Sequence, residues 1–226
     1  YTLDTRVTYP SCYKSAVKVY YDAIFGPFKP YVVAGLRKLD GLDIKMACTS
    51  HGPVLTSGCM LEYVLDKYAE WSCPVENGKI SIPIFFCSAY GNTGLIAQEI
   101  RNGILETIPD AECEIYDINE HPMSELQYKL NTSSAFAVGS PTINGDAVAP
   151  VWNLLSHVDA INNKKKPVLV FGSYGWSGEA IPNLTARLTG LKMTVYSDAV
   201  KVQFVPSEAD FENARATGKS FAGQLR

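Results

Sequence analysis

The sequence predicts an α/β protein. Residues 80–226 read as a doubly wound, five-stranded parallel sheet of order 2-1-3-4-5, and a partial α/β segment over 1–75 precedes it. Two observations predict the sheet. From Ile80 onward, short apolar runs alternate with stretches of helical periodicity, as in strand–helix–strand units with right-handed crossovers. The runs end in loops rich in glycine, hydroxyls and amides. In such sheets these loops gather at the carboxyl edge, where ligands bind at the switch in strand order. A chain of 226 residues has room for one large domain or two small ones.

The first strand of the sheet is expected over 84–87, with Pro83 at its start because proline cannot donate inside a ladder. It leads into Ser88-Ala89-Tyr90-Gly91-Asn92-Thr93. A helix over 93–107 follows, with Leu95, Ile96, Ile100, Ile104 and Leu105 on one face. Strand, tight loop and helix start together make an anion site, because the unpaired N–H groups of the first turn and the helix dipole favour negative charge. Ser88 and Thr93 add hydroxyls, Asn92 an amide, and Gly91 a close backbone approach. No lysine or arginine lies in the loop, so it lacks the Gly-Lys-Ser/Thr of a nucleoside triphosphate loop. A neutral set of donors suits a terminal monophosphate. The same residues also read as an ordinary capped strand–turn–helix corner.

The remaining strands are expected over 112–117, 135–138, 167–171 and 192–195, with 200–205 continuing the last. Helices fall near 122–130, 150–160, 178–189 and 207–224. After the third strand comes Gly139-Ser140-Pro141-Thr142-Ile143-Asn144-Gly145, with a stiff proline, a hydroxyl and a flexible Asn144-Gly145 backbone. After the fourth comes Gly172-Ser173-Tyr174-Gly175-Trp176-Ser177-Gly178. Each loop alone has a plain reading as turn chemistry. Large aromatics in a glycine-rich loop, however, make poor core residues and suit stacking on a flat ring. A phosphate at one end and a flat heterocycle at the other describe flavin mononucleotide (FMN), held where the three loops meet.

Residues 1–75 read as helix (Ser11 to Phe25, broken by Gly26-Pro27), helix (after Pro30, with Val32, Val33, Leu36 and Leu39 periodic), a strand over 44–48, and a helix from Ser57 to Trp71. The last carries Met60, Val64 and Tyr68 in one stripe. The segment 73–78 reads as a linker. Three amphipathic helices with so little strand cannot bury their faces alone. His51 follows the short strand in Ser50-His51-Gly52-Pro53-Val54, where functional groups are often placed. By itself it is one metal ligand of the three or more a centre needs, and a satisfied structural histidine is the plainer reading.

Composition narrows the partners. The formal net charge of -3 gives no sign of nucleic acid, and the single basic run, Lys164-Lys165-Lys166, reads as a solvated turn. No apolar run suits a membrane span and no leader pattern is present, so the expectation is a cytoplasmic protein without a membrane partner. The chain opens without an initiator methionine, so an upstream segment is expected. The six cysteines lack CxxC pairing and are expected as free thiols, with Cys48, Cys87 and Cys113 buried.

The loop motifs of residues 80–226 resemble the flavodoxin superfamily, and more closely its flavodiiron branch, the A-type flavoproteins. There a metallo-β-lactamase-like domain with two irons precedes the flavodoxin-like domain. Tyr20-Tyr21, Pro27-Phe28, Ser50-His51-Gly52-Pro53-Val54 and Tyr68-Ala69-Glu70-Trp71 resemble the closing segments of that first domain. The resemblance implies a flavodoxin-like FMN-binding domain over 80–226 and a domain remnant over 1–75. It also implies electron transfer from a rubredoxin or a reductase to a diiron centre that reduces dioxygen to water, nitric oxide to nitrous oxide, or both, in a head-to-tail dimer. FMN would be held by Ser88, Tyr90, Gly91, Asn92, Thr93, Pro141, Thr142, Asn144, Gly145, Ser173, Tyr174, Gly175, Trp176 and Gly178. His51 matches an iron ligand, but the other ligands have no match here, so iron is expected only in a full-length parent. Catalysis by acid, base or nucleophile is not expected of electron transfer. The other readings are a stand-alone electron carrier, an FMN quinone reductase and a non-catalytic interaction module. The reductase lacks a second Gly-x-Gly-x-x-Gly fingerprint for NAD(P)H.

Overall fold

The computed structural model describes residues 2–73 and 79–225. Residues 74–78 of the expected linker lie outside the described residues. The chain divides into two compact units, Tyr1–Glu76 and Asn77–Arg226.

In the second unit the parallel strands are β3 (Ile84–Phe86), β4 (Ile115–Asp117), β5 (Phe136–Ile143), β7 (Pro167–Tyr174), β8 (Thr194–Val195) and β9 (Val200–Gln203). The order is β4-β3-β5-β7-β8, and β9 also pairs with β7. Counting β8 and β9 as one interrupted fifth strand, this is the expected 2-1-3-4-5 doubly wound sheet. β8 pairs with the start of β7 and β9 with its end. Alternation along each strand builds two cores. Phe136, Val138, Val168 and Val170 face one side, with Leu126, Val151, Leu154 and Leu184. Ala137, Leu169, Phe171, Val200 and Val202 face the other, with Ile96, Ile100, Ala214 and Phe221. The helices are α4 (Asn92–Thr107), α5 (Met123–Thr132), α6 (Ala149–Ser156), α7 (Ala180–Gly190) and α8 (Glu208–Gly223). Helices α4 and α8 touch through glycine: a Cβ on Gly103 would stand 2.0 Å from Arg215 O, and one on Gly218 2.3 Å from Ile100 O.

Two strands run well past their expected ends. The third and fourth strands were expected to end at 138 and 171, but they run on through Ser140-Pro141-Thr142-Ile143 and Gly172-Ser173-Tyr174. Strand pairing there, Gly139↔Phe171 to Pro141↔Ser173, outweighs the turn preference of the residues. Pro141 is tolerated because the ladder to β3 has already ended at Gly139.

The first unit has α1 (Pro10–Tyr20), α2 (Lys29–Arg37), the two-residue strands β1 (Met46–Ala47) and β2 (Leu55–Thr56), paired antiparallel, and α3 (Leu61–Ser72). Gly26-Pro27 does not end the helical path. Hydrogen bonding passes through a π turn at Tyr21–Phe25 and a 3₁₀ turn at Gly26–Phe28 into α2. Pro27 and Pro30 each fall at the start of a new segment, where no N–H is needed. Buried Asp4 ties the unit together, accepting from Thr56 N (2.8 Å), Thr56 Oγ1 (2.6 Å) and Met60 N (3.0 Å). Burial pushes its carboxyl up, but these bonds outweigh it and hold the carboxyl below its usual value. Cys48 lies past the paired part of β1 and is exposed, against expectation. All six cysteines are free, and only Cys87 and Cys113 are buried.

Candidate functional site

The carboxyl ends of β3, β5 and β7 are neighbours, so the loops that leave them share one edge of the sheet. Cys87 N donates to Gly139 O (3.2 Å) where β3 ends beside β5. Ser88 follows, and its Oγ is buried with no hydrogen-bond partner. Buried hydroxyls are rarely left so, because an unmade bond costs about 1–3 kcal/mol. Gly91 then takes φ 85° as the N-cap of α4. A Cβ there would meet nothing within 4 Å, so the left-handed backbone is what calls for glycine. No side chain caps the helix. The first-turn N–H groups thus have no side-chain partner, and an orphan hydroxyl stands three residues before the N-cap. Thr93 is buried, and its Oγ1 bonds Ser173 Oγ at 2.9 Å, tying the first loop to the end of β7. Its hydroxyl is thus engaged within the protein. Tyr90 is 93% exposed.

The second loop is a hairpin. β5 turns at Asn144 (φ 55°) and Gly145 (φ 72°) and returns as β6 (Asp146–Ala147), pairing Thr142↔Ala147 and Ile143↔Asp146. Two central residues at positive φ match the two-residue turn that asparagine-glycine favours. Thr142 Oγ1 accepts from Ala180 N at 3.3 Å, joining the hairpin to the start of α7. Asn183 Nδ2 donates to Asp146 Oδ1 at 2.9 Å. That bond first, with those from Ala147 N and Trp152 Nε1, holds the Asp146 carboxyl below its usual value.

The third loop begins at Tyr174, half-buried under Lys201, whose Nζ lies 4.8 Å from the ring centroid. Trp176 beyond it is 91% exposed. Gly178 (φ 76°) lets the chain turn into α7, with Lys201 Cε only 2.3 Å from where a Cβ would sit. The Ser177 hydroxyl, then the Glu179 N–H, keep the Glu179 carboxyl below its usual value, while its Oε2 is buried without a partner.

The structure thus places the residues expected from the three loops on adjoining strand ends, and hydrogen bonds join Thr93 to Ser173 and Thr142 to α7. His51 belongs to the first unit, is exposed, and stands 5.7 Å from the Tyr20 ring. Among the described residues, no group of three or more His, Cys, Asp or Glu is placed to hold a metal ion. Sequence reasoning missed Glu179, Lys201, Gln203 and Phe204. The legible signal for the last was an aromatic just before Val205-Pro206, at a strand end.

An uncapped helix start with an orphan hydroxyl takes a phosphate, and an exposed indole on the neighbouring loop takes a flat ring, so the residues present fit FMN. A 2-1-3-4-5 sheet with such an edge fits the class of flavin-mononucleotide-binding α/β proteins. The chain belongs to the flavodoxin family, whose model matches residues 84–218. It is 48% identical over 222 residues to the flavo-diiron protein FprA2 of Clostridium acetobutylicum, covering 98% of this chain and 56% of that one. Among solved structures it is similar to rubredoxin oxygen:oxidoreductase of Desulfovibrio gigas (TM-score 0.69, 25% identity, 91% of this chain and 51% of that one). It is also similar to a flavodoxin from Bacillus cereus (TM-score 0.56, 27% identity, 65% and 99%). The chain spans about half the length of the curated relatives it matches. Residues 84–218 are an FMN-binding electron-transfer domain of the flavodoxin family. No helix among the described residues is long and apolar enough to cross a membrane.

Proposed function

We propose that Ser88, Tyr90, Gly91, Asn92 and Thr93 hold the FMN phosphate, mainly through Ser88 Oγ and the first-turn N–H groups of α4. The flat ring lies between the hairpin of Pro141, Thr142, Asn144 and Gly145 and the loop of Ser173, Tyr174, Gly175, Trp176 and Gly178, with Trp176 against a face. FMN supplies one- and two-electron chemistry. The chain's residues bind it, orient it and shut water from one side. The unpartnered, buried Ser88 Oγ beside an uncapped helix start carries this reading.

Residues 1–75 are, on this proposal, the end of a metallo-β-lactamase-like domain, with His51 one ligand of a diiron centre completed by the rest of a longer protein. The whole protein passes electrons from a rubredoxin or a reductase to that centre, reduces dioxygen or nitric oxide in the cytoplasm, and works as a head-to-tail dimer. Similarity along nearly the whole chain to a flavo-diiron protein supports this. Titration of the full chain with FMN tests the site. Ser88→Ala is expected to weaken binding by about 1 kcal/mol and Trp176→Ala by about 1–3 kcal/mol. A dissociation constant unmoved by Ser88→Ala sinks the phosphate assignment, and one unmoved by Trp176→Ala sinks the ring assignment.

A further inference from the structure

Phe204, the residue after β9, has φ 59°, in a region that bulky side chains enter at a cost. Its N–H donates to Tyr174 O at 2.8 Å. The ring is 59% exposed, so burial does not account for the strain. What the ring meets is the third loop. It stands edge-on to Trp176, with centroids 6.5 Å apart and planes at 66°. It also lies 3.3 Å from where a Cβ on Gly175 would project.

β9 adds two more holds on the same loop. Val200 and Val202 point into the core, so Lys201 and Gln203 point to the opposite face. Register sets Gln203 beside Tyr174. Gln203 Nε2 donates to Gly175 O at 3.0 Å, and Lys201 Nζ donates to Ser177 O at 2.9 Å. Two side chains of β9 and that of the residue after it thus grip a segment, Gly175 to Gly178, in which two of the four residues are glycine.

We propose that Lys201, Gln203 and Phe204 form a clasp that presets the Trp176 loop for a flat ring. They are positioning residues: they raise affinity through the loop, by ordering it before the ligand arrives. The proposal rests on the assignment of Trp176 to the FMN ring.

Phe204→Gly separates this role from a structural one. Glycine takes φ 59° without strain, so the thermal midpoint is expected to stay level or rise. FMN affinity is expected to fall about three- to tenfold, the scale of one aromatic pair. Amide hydrogen exchange over 174–179 in the FMN-free full chain is expected to speed up at the same time. Lys201→Met shifts affinity and exchange the same way, and Lys201→Arg, which can still donate to Ser177 O, restores both. If Phe204→Gly lowers the thermal midpoint along with affinity, the residue is merely structural and the clasp is refuted. Unchanged exchange and affinity refute it equally. Faster loop exchange in the variant, with no FMN bound by either protein, keeps the clasp and sinks the flavin reading instead.

Discussion

The two units cover their apolar side chains differently. In Asn77–Arg226 a central sheet has a helical layer on each face, and its large side chains, among them Phe85, Phe136, Phe171 and Ile100, are fully buried. Among the described residues of Tyr1–Glu76 the sheet is a pair of two-residue strands, and α2 buries no residue at all. An apolar groove of about 1020 Å³ runs there between Tyr20, Phe25, Val32, Leu36 and Tyr68. The contrast teaches that amphipathic helices do not make a core by themselves. A two-sided sheet lets each helix bury its stripe against strands, and three helices on a short hairpin leave theirs open.

Thiol chemistry gives the largest expected effect. The first unit holds Cys12, Cys48, Cys59 and Cys73, all exposed, and the second holds Cys87 and Cys113, both buried. Burial is the main cause that pushes each of the latter two up to about 12. A shift from the ordinary value of 9.0 to about 12 cuts thiolate about a thousandfold. Iodoacetamide at pH 8, followed by mass spectrometry, is expected to label Cys12, Cys48 and Cys73 of the native chain quickly, Cys59, whose thiol desolvation and Asp4 push up, more slowly, and Cys87 and Cys113 only after denaturation. Fast labelling of either buried thiol would break the contrast.

Glycines sharpen the comparison at the next scale. Gly103→Val would drive a side chain into the backbone of α8 and is expected to cost about 3 kcal/mol of stability. Gly35→Ala in α2 meets nothing within 4 Å and is expected to be neutral or to add about 0.5–1 kcal/mol. Denaturant midpoints of the two variants compare a closed interface with an open one.

A further expected effect, confined to alkaline pH, concerns a buried cation. Lys166 Nζ donates to Leu130 O (2.9 Å), Asn131 O (3.1 Å) and Ser133 Oγ (3.4 Å) at the end of α5. Burial, only partly offset by Asp159, lowers its pKa from 10.5 to about 8. Between those values the folded lysine has released a proton that the unfolded one keeps. Its contribution to stability therefore rises with pH from about 8 to about 10.5. Subtracting the pH–stability curve of Lys166→Met from that of the unaltered chain is expected to leave this rise. A flat difference would refute it.

Much of the fold was legible because its signals are local. Ile84-Phe85-Phe86 is an unbroken apolar run, and Ile96, Ile100 and Ile104 recur at helical spacing, so strand and helix could be read before any contact was known. The glycine at 91 and the Asn144-Gly145 pair announced their turns for the same reason. Ser140–Ile143 and Gly172–Tyr174 misled because proline, glycine and hydroxyls carry a turn signal. Neighbouring strands override that signal only once the sheet has assembled. Gly26-Pro27 misled in the opposite sense: a proline that breaks a helix interior can open a new turn.

The chain's own letters thus determined the alternation of strands and helices, the class of sheet and the three loops that crowd one edge, since each rests on neighbours a few residues apart. Only tertiary structure decided that Thr93 meets Ser173, 80 residues away, that Ser88 is buried with nothing to bond, and that side chains of β9 bond the backbone of Gly175 and Ser177. Register and burial belong to surfaces brought together from distant stretches, and no local pattern encodes which stretches those are.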